Sequence, residues 1–174
     1  MKYKVGEAVK MLERTPAVLR ALLSKLPEEW IMSNEGPETF SPYDVLGHLL
    51  HGEKTDWAVR AKIILAYGTD KPFTPWDRFA QYEESKGKSM LQLLDEFEAA
   101  REINIKWLKS LQLSESDLDK KGVHPKLGEV TLRNLLSTWV VHDLTHIAQV
   151  TRVMAKQYKE EIGPWTDFFR ILSF

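Results

Sequence analysis

The run Trp139-Val140-Val141-His142-Asp143-Leu144-Thr145-His146-Ile147-Ala148-Gln149 decides how this chain is read. It contains neither Gly nor Pro, and its apolar residues recur at helical spacing, so it forms a helix. Residues four apart stack on one helix face, which lets the imidazoles of His142 and His146 close on a single metal ion. Two histidines do not complete a protein metal site, so a third ligand has to come from another element.

Working outward, this helix is predicted to begin near Thr131 and to run to about Glu160, stopping at Gly163-Pro164. Ser89-Met90-Leu91-Gln92 is a capping box for a third helix reaching about Leu111, and the stretch from Ser114 to Glu129 reads as turns. The second helix opens at Ser41-Pro42-Tyr43-Asp44, with Ser41 as N-cap and Pro42 in the first turn, and is expected to run to Tyr67 and end at Gly68. The first helix covers residues 5 to 26; Pro16 interrupts it, so a kink or a restart with Thr15 as N-cap is expected. Residues 27 to 40 and 69 to 88 read as loops. In the second of these, Phe73, Trp76, Phe79 and Tyr82 are expected to fold back over the core ahead of lining a pocket.

Four long helices without strand-like alternation give an all-α fold, a four-helix bundle with a long final helix and an aromatic C-terminal tail. The tail, from Trp165 to Phe174, is too aromatic to be a free end and should pack on the bundle or on a second subunit. A chain of 174 residues fits one domain, residues 1–174, with a substantial core. The balance of 24 basic and 25 acidic side chains, without a basic cluster, argues against nucleic acid as a partner. Apolar runs fall short of a membrane span and no signal-peptide core is present, so a cytoplasmic protein is expected. There is no cysteine, which excludes disulfides, thiolate metal ligands and an internal sulfur nucleophile. Thiol chemistry would need a thiol brought in from outside.

Projecting the second helix at about 100° per residue places His48 at the edge of the apolar arc of Val45, Leu49, Val59 and Ile63. His51 falls on the side of Asp44, Lys54 and Lys62, nearer solvent. The same projection puts His142 and His146 in a stripe with Leu132, Leu135, Trp139, Val150 and Val153. His48, His142 and His146 are therefore the ligand set. The alternative is three core histidines with ordinary hydrogen bonds, but burying three imidazoles without an ion leaves ring nitrogens short of partners at about 1–3 kcal/mol each. Asp143 also falls in the apolar arc, where a carboxylate must be paired; it could orient a neighbouring element or a ligand imidazole. Gln149, on the same side, could touch solvent at the ion. Both assignments are open between structural and functional roles. The glutamate of the zinc-protease helix is missing, since Asp143-Leu144-Thr145 fills the space between the histidines.

Over nearly its whole length the sequence resembles the DinB-like (DinB/YfiT-like) family of metal-binding four-helix bundles, which is unrelated to the DNA polymerase of that name. The resemblance rests on Thr15-Pro16, on Ser41-Pro42-Tyr43-Asp44-Val45-Leu46-Gly47-His48-Leu49, and on Leu127-Gly128-Glu129-Val130-Thr131-Leu132 leading into His142-Asp143-Leu144-Thr145-His146-Ile147-Ala148-Gln149. It implies a divalent metal, commonly zinc or nickel, on three histidines that match His48, His142 and His146, and it implies that many members form dimers, so a homodimer is expected. Relatives of known activity act as transferases or isomerases using low-molecular-weight thiols such as bacillithiol, mycothiol or glutathione. His51 and Glu53 are extra polar groups near the ligand positions whose roles stay open.

A three-histidine ion keeps coordination positions open, as catalytic sites do, and lowers the pKa of a bound thiol or water. The expected activity is metal-dependent transfer of a small thiol cosubstrate to a small-molecule electrophile. A metallohydrolase, a non-catalytic metal-binding or sensing bundle and a plain structural bundle are the rivals.

Overall fold

Capping residues set where three of the long helices begin. The Ser41, Ser89 and Thr131 side chains each accept from the backbone N–H three residues on, and the side chains of Asp44, Gln92 and Asn134 each return a bond to the cap. Each such cap is worth about 1 kcal/mol. The computed structural model describes residues 2–173. Its helices are α1 (Val5–Leu12), α2 (Thr15–Leu23), α3 (Glu28–Met32), α4 (Pro42–Thr55), α5 (Trp57–Tyr67), α6 (Gln81–Ser85), α7 (Met90–Ser110), α8 (Glu115–Leu118) and α9 (Leu132–Lys156). A hairpin of β1 (Lys121–His124) and β2 (Gly128–Thr131) precedes α9, and two 3-10 turns, Gly163–Phe168 and Arg170–Leu172, follow it.

The bundle has four rods: α1 with α2, α4 with α5, α7, and α9. No helix of the described residues is long and apolar enough to cross a membrane. The first rod does break, at Glu13-Arg14 just before Pro16, but Thr15 is not an N-cap. It lies inside α2, and its hydroxyl is spent on Asp143 of α9. The second rod is not one helix to Tyr67: it breaks at Asp56, where φ is -116° and ψ -79°. That break rotates the second half, so Val59 is exposed instead of lying on the apolar arc with Val45. Gly68 ends α5 at φ 58°, a conformation in which a side chain would be strained.

Other expectations need correction. The 27–40 loop contains α3, and the turn-like stretch contains α8 and a true antiparallel ladder, with Lys121 opposite Thr131 and His124 opposite Gly128. Gly122 lets the hairpin close on the bundle, since a Cβ there would sit 2.7 Å from Ile64 Cγ1. The final helix stops at Lys156, short of Glu160. Of the four loop aromatics only Phe73 is fully buried; Trp76 is half-buried, and Phe79 and Tyr82 are exposed. In the tail Leu172 is covered, while Trp165, Phe168 and Phe169 stand at 64%, 76% and 49% exposure. Phe174 lies outside the described residues.

The core falls into two apolar halves. One holds Leu12, Trp57, Ile64, Ile105, Leu108 and Trp139; the other holds Leu19, Val45, Leu49, Leu93, Phe97 and Val150. Between them every rod interrupts its apolar run with a polar residue: Thr15, Glu53, Arg101 and Asp143, all buried. This polar layer is the floor on which the histidines stand.

Candidate metal centre

His48 comes from α4, and His142 and His146 from successive turns of α9. Their ring nitrogens converge. His48 Nε2 lies 3.1 Å from His142 Nε2, which lies 3.2 Å from His146 Nε2. One ligand atom from each of the three can be chosen so that all lie within 4.8 Å of one another. Zinc–imidazole bonds of about 2.0–2.1 Å at tetrahedral angles put ligand nitrogens about 3.3 Å apart, so the two close spacings are those of a coordination shell. Hydrogen bonding explains them less well. His142 Nε2 has one lone pair in its ring plane and faces two other nitrogens at once, so it cannot satisfy both.

The imidazoles are held neutral. Burial, then the neighbouring His146, push His48 down to about 3, and burial with the other two histidines pushes His142 down to about 2. Burial lowers His146 as well. Neutral rings with free lone pairs are what a metal requires. The Nδ1–H of His146 donates to Gln149 Oε1 at 2.8 Å, which fixes the tautomer and leaves Nε2 as the lone pair. The buried Nδ1 atoms of His48 and His142 have no hydrogen-bond partner among the described residues. Aromatic rings set the planes instead: Trp57 meets His142 edge-on at 5.0 Å, and Trp76 and Phe40 flank His48 at 5.1 and 5.4 Å.

The polar layer lies directly beneath. Arg101 donates to the Leu12 carbonyl at 2.7 Å, to Glu53 at 2.8 Å, and with both terminal nitrogens to Asp143 at 2.6 and 3.0 Å. Thr15 donates to Asp143 at 2.6 Å, and Asn104 and Trp139 donate to Glu53 at 2.9 Å each. One guanidinium thus ties all four rods together. Burial pushes the Glu53 carboxyl up, and Arg101 opposes that.

The candidate residues therefore sort by contact. His48, His142 and His146 meet. Asp143 is paired, as a carboxylate in the apolar arc must be, but with Arg101 and Thr15 and with no imidazole. Gln149 bonds His146 itself and also lines the pocket. Glu53 belongs to the polar layer. His51 is not near solvent. It is 4% exposed, because the loop after α5 folds back over it, stacking Trp76 on its ring at 5.1 Å and bringing Glu84 of α6 within 3.0 Å of its Nδ1. Sequence reading missed Arg101, although it continues the stripe of Phe97, Ile105 and Leu108 on α7, the same sign that marked Asp143. Trp76 takes the pocket-lining role that sequence reading places behind packing on the core, and nothing in the loop sequence announced Arg78.

The three histidines open onto a pocket of about 520 Å³, walled also by Phe40, Trp76, Arg78, Gln149, Arg152, Glu35 and Glu38. Arg152 grips Glu35 through two bonds, at 2.7 and 2.6 Å, and Lys156 adds a third at 2.7 Å. These cations, Arg152 foremost, hold the Glu35 carboxyl down to about 2.

Residues 11–150 match the sequence profile of the DinB superfamily. The chain belongs to that superfamily. No curated protein matches it in sequence. Among solved structures it is similar to YfiT from Bacillus subtilis, with a TM-score of 0.78 and 21% identity over 90% of each chain. That protein is described as a probable metal-dependent hydrolase with an unusual four-helix bundle topology. The likeness confirms the four-helix-bundle fold.

Proposed function

We propose that this member of the DinB superfamily is a divalent-metal-dependent enzyme, with His48, His142 and His146 as ligands of zinc or nickel, that brings a low-molecular-weight thiol to a small electrophile. The observation that carries the reading is the convergence of three neutral Nε2 atoms at 3.1 and 3.2 Å. A divalent ion there would supply a Lewis acid and leave positions open for an exogenous ligand.

The chain's own residues favour a thiol over water as the group to be ionised. Of the two pocket carboxylates, Glu35 is locked by Arg152 and Lys156 and is too weak a base to take a proton, while Glu38 is exposed. A thiol starts from a pKa of about 8.5 and bulk water from about 15.7, so a site without a strong buried base ionises the thiol far more readily. With no cysteine in the sequence, that thiol is a cosubstrate. Phe40 and Trp76 give the pocket apolar walls that strengthen attraction for an anionic sulfur. A cytoplasmic location, where small thiols are kept reduced, accords with this reading. A homodimer is part of it too, with a second copy covering Trp165, Phe168 and Phe169.

Hydrolysis is the second reading, supported by the structural likeness to YfiT. Cobalt(II)-loaded protein separates the two. Small physiological thiols should produce a sulfur-to-metal charge-transfer band in the native protein and none in His142→Ala. No band with any thiol, together with cleavage of a model ester or amide, would transfer the assignment to a hydrolase.

A further inference from the structure

We propose that Arg78 anchors a carboxylate on the small molecule that this pocket takes, so that the substrate is a monoanion with a flat or apolar body. The proposal rests on the pocket of the three histidines being the reaction site, and it adds the class of molecule that enters. Arg78 and Arg152 are the two arginines in the pocket wall, and they differ in commitment. The fork of Arg152 is occupied by Glu35 through a bidentate pair, a carboxylate it shares with Lys156. Arg78 makes no ion pair and no side-chain hydrogen bond among the described residues, and Glu38, the other carboxylate of the wall, pairs with neither arginine.

The guanidinium of Arg78 is nonetheless placed. It lies 4.7 Å over the Phe79 ring and 6.0 Å from that of Phe40, so aromatic rings hold this exposed side chain in the wall while its N–H fork stays unspent. The Phe40 ring it approaches lies 5.4 Å from the ring of His48, which puts Arg78 at the histidine end of the pocket. A planar fork of N–H donors matches the two oxygens of a carboxylate. A phosphate dianion asks for more: a second cation or a nest of backbone N–H groups, and the second arginine is already taken. Phe40 and Trp76 then offer surfaces for the rest of the molecule.

Benzoate is the probe, titrated calorimetrically into the full chain both as purified and after metal removal by chelation. Metal content is measured alongside. Benzoate should bind both forms, and the neutral isostere benzamide neither. Arg78→Gln should weaken benzoate by about tenfold to a hundredfold, with metal content unchanged, the loss expected for one charge-assisted contact. Arg78→Lys should recover only part, since a point charge lacks the fork. Equal benzoate affinity in Arg78→Gln and native stripped protein would overturn the proposal. So would benzamide binding as well as benzoate, inorganic phosphate binding better, or no benzoate binding at all. A chain that held no metal would be seen in the elemental analysis alone, and the stripped-protein titration would still test Arg78.

Discussion

The Glu53–Arg101–Asp143 set, fully buried, and the His48–His142–His146 set, buried at His48 and half-buried at the other two, are both polar and are neighbours on α4 and α9. They are built oppositely. In the first, donors meet acceptors: two carboxylates receive from Arg101, Thr15, Asn104 and Trp139, and among the described residues only the Arg101 Nε goes without. In the second, lone pairs face lone pairs across 3.1 and 3.2 Å, and two Nδ1 atoms have no partner among the described residues. A saturated polar cluster holds a fold together; one with converging, unanswered acceptors keeps a place for a cation.

The sharpest way to break that contrast is Arg101→Met. It strands two buried carboxylates, and removing one partner from a buried ionic network costs about 3–5 kcal/mol. Urea unfolding should show the loss in the metal-free protein. A change under about 1 kcal/mol would mean the layer does not brace the rods.

His142→Ala should behave in the reverse way. Metal content by elemental analysis of untagged protein is expected to drop from about one ion per chain to none, while metal-free stability moves far less than with Arg101→Met, since no satisfied bond is lost. His146→Ala should also lose the ion, with a somewhat larger stability cost because its bond to Gln149 goes too, and His48→Ala should weaken binding. His51→Ala should keep the ion, because its Nδ1 is engaged by Glu84. Loss of metal in His51→Ala with retention in His48→Ala would mean the ligands are assigned wrongly.

Gly47→Ala tests how the pocket wall is attached. An added Cβ would lie 2.4 Å from both Gln81 Oε1 and Ser85 Oγ, forcing α6 away from α4. A cost of about 1–3 kcal/mol is expected from such overpacking. A shift in tryptophan emission should accompany it as the segment carrying Trp76 moves. Unchanged stability and emission would show that α6 gives way freely.

The smallest effect is electrostatic and belongs to the pocket rim. Glu35 titrates at about 2 when folded against an ordinary value of 4.5. Its ion pair therefore contributes fully above pH 4.5 and is lost progressively as pH falls from there toward 2. Glu35→Gln should remove that share of the acid sensitivity and leave stability above pH 6 lower than in the native chain. Parallel native and variant curves across the acid range would show that solvent screening cancels the pair.

Much of this was legible in the sequence because it is local. Capping boxes at Ser41 and Ser89, the proline at 42 and the stop at Gly68 act through bonds within a few residues, so boundaries followed from neighbours alone. The four-residue spacing of His142 and His146 fixed their common face for the same reason. His48 was placed correctly beside the apolar arc because it lies before the break at Asp56. Val59 was misplaced because the arc was carried straight through that break, and His51 because the segment that covers it is distant in sequence.

What the tertiary structure alone decided is which polar groups find one another. Thr15 gave up capping for Asp143, 128 residues away, and Arg101 drew Leu12, Glu53 and Asp143 around one guanidinium. Periodicity can say that a charged residue faces inward. It cannot say who answers it, because partners are chosen by the packing of separate rods and by the cost of leaving any buried charge alone.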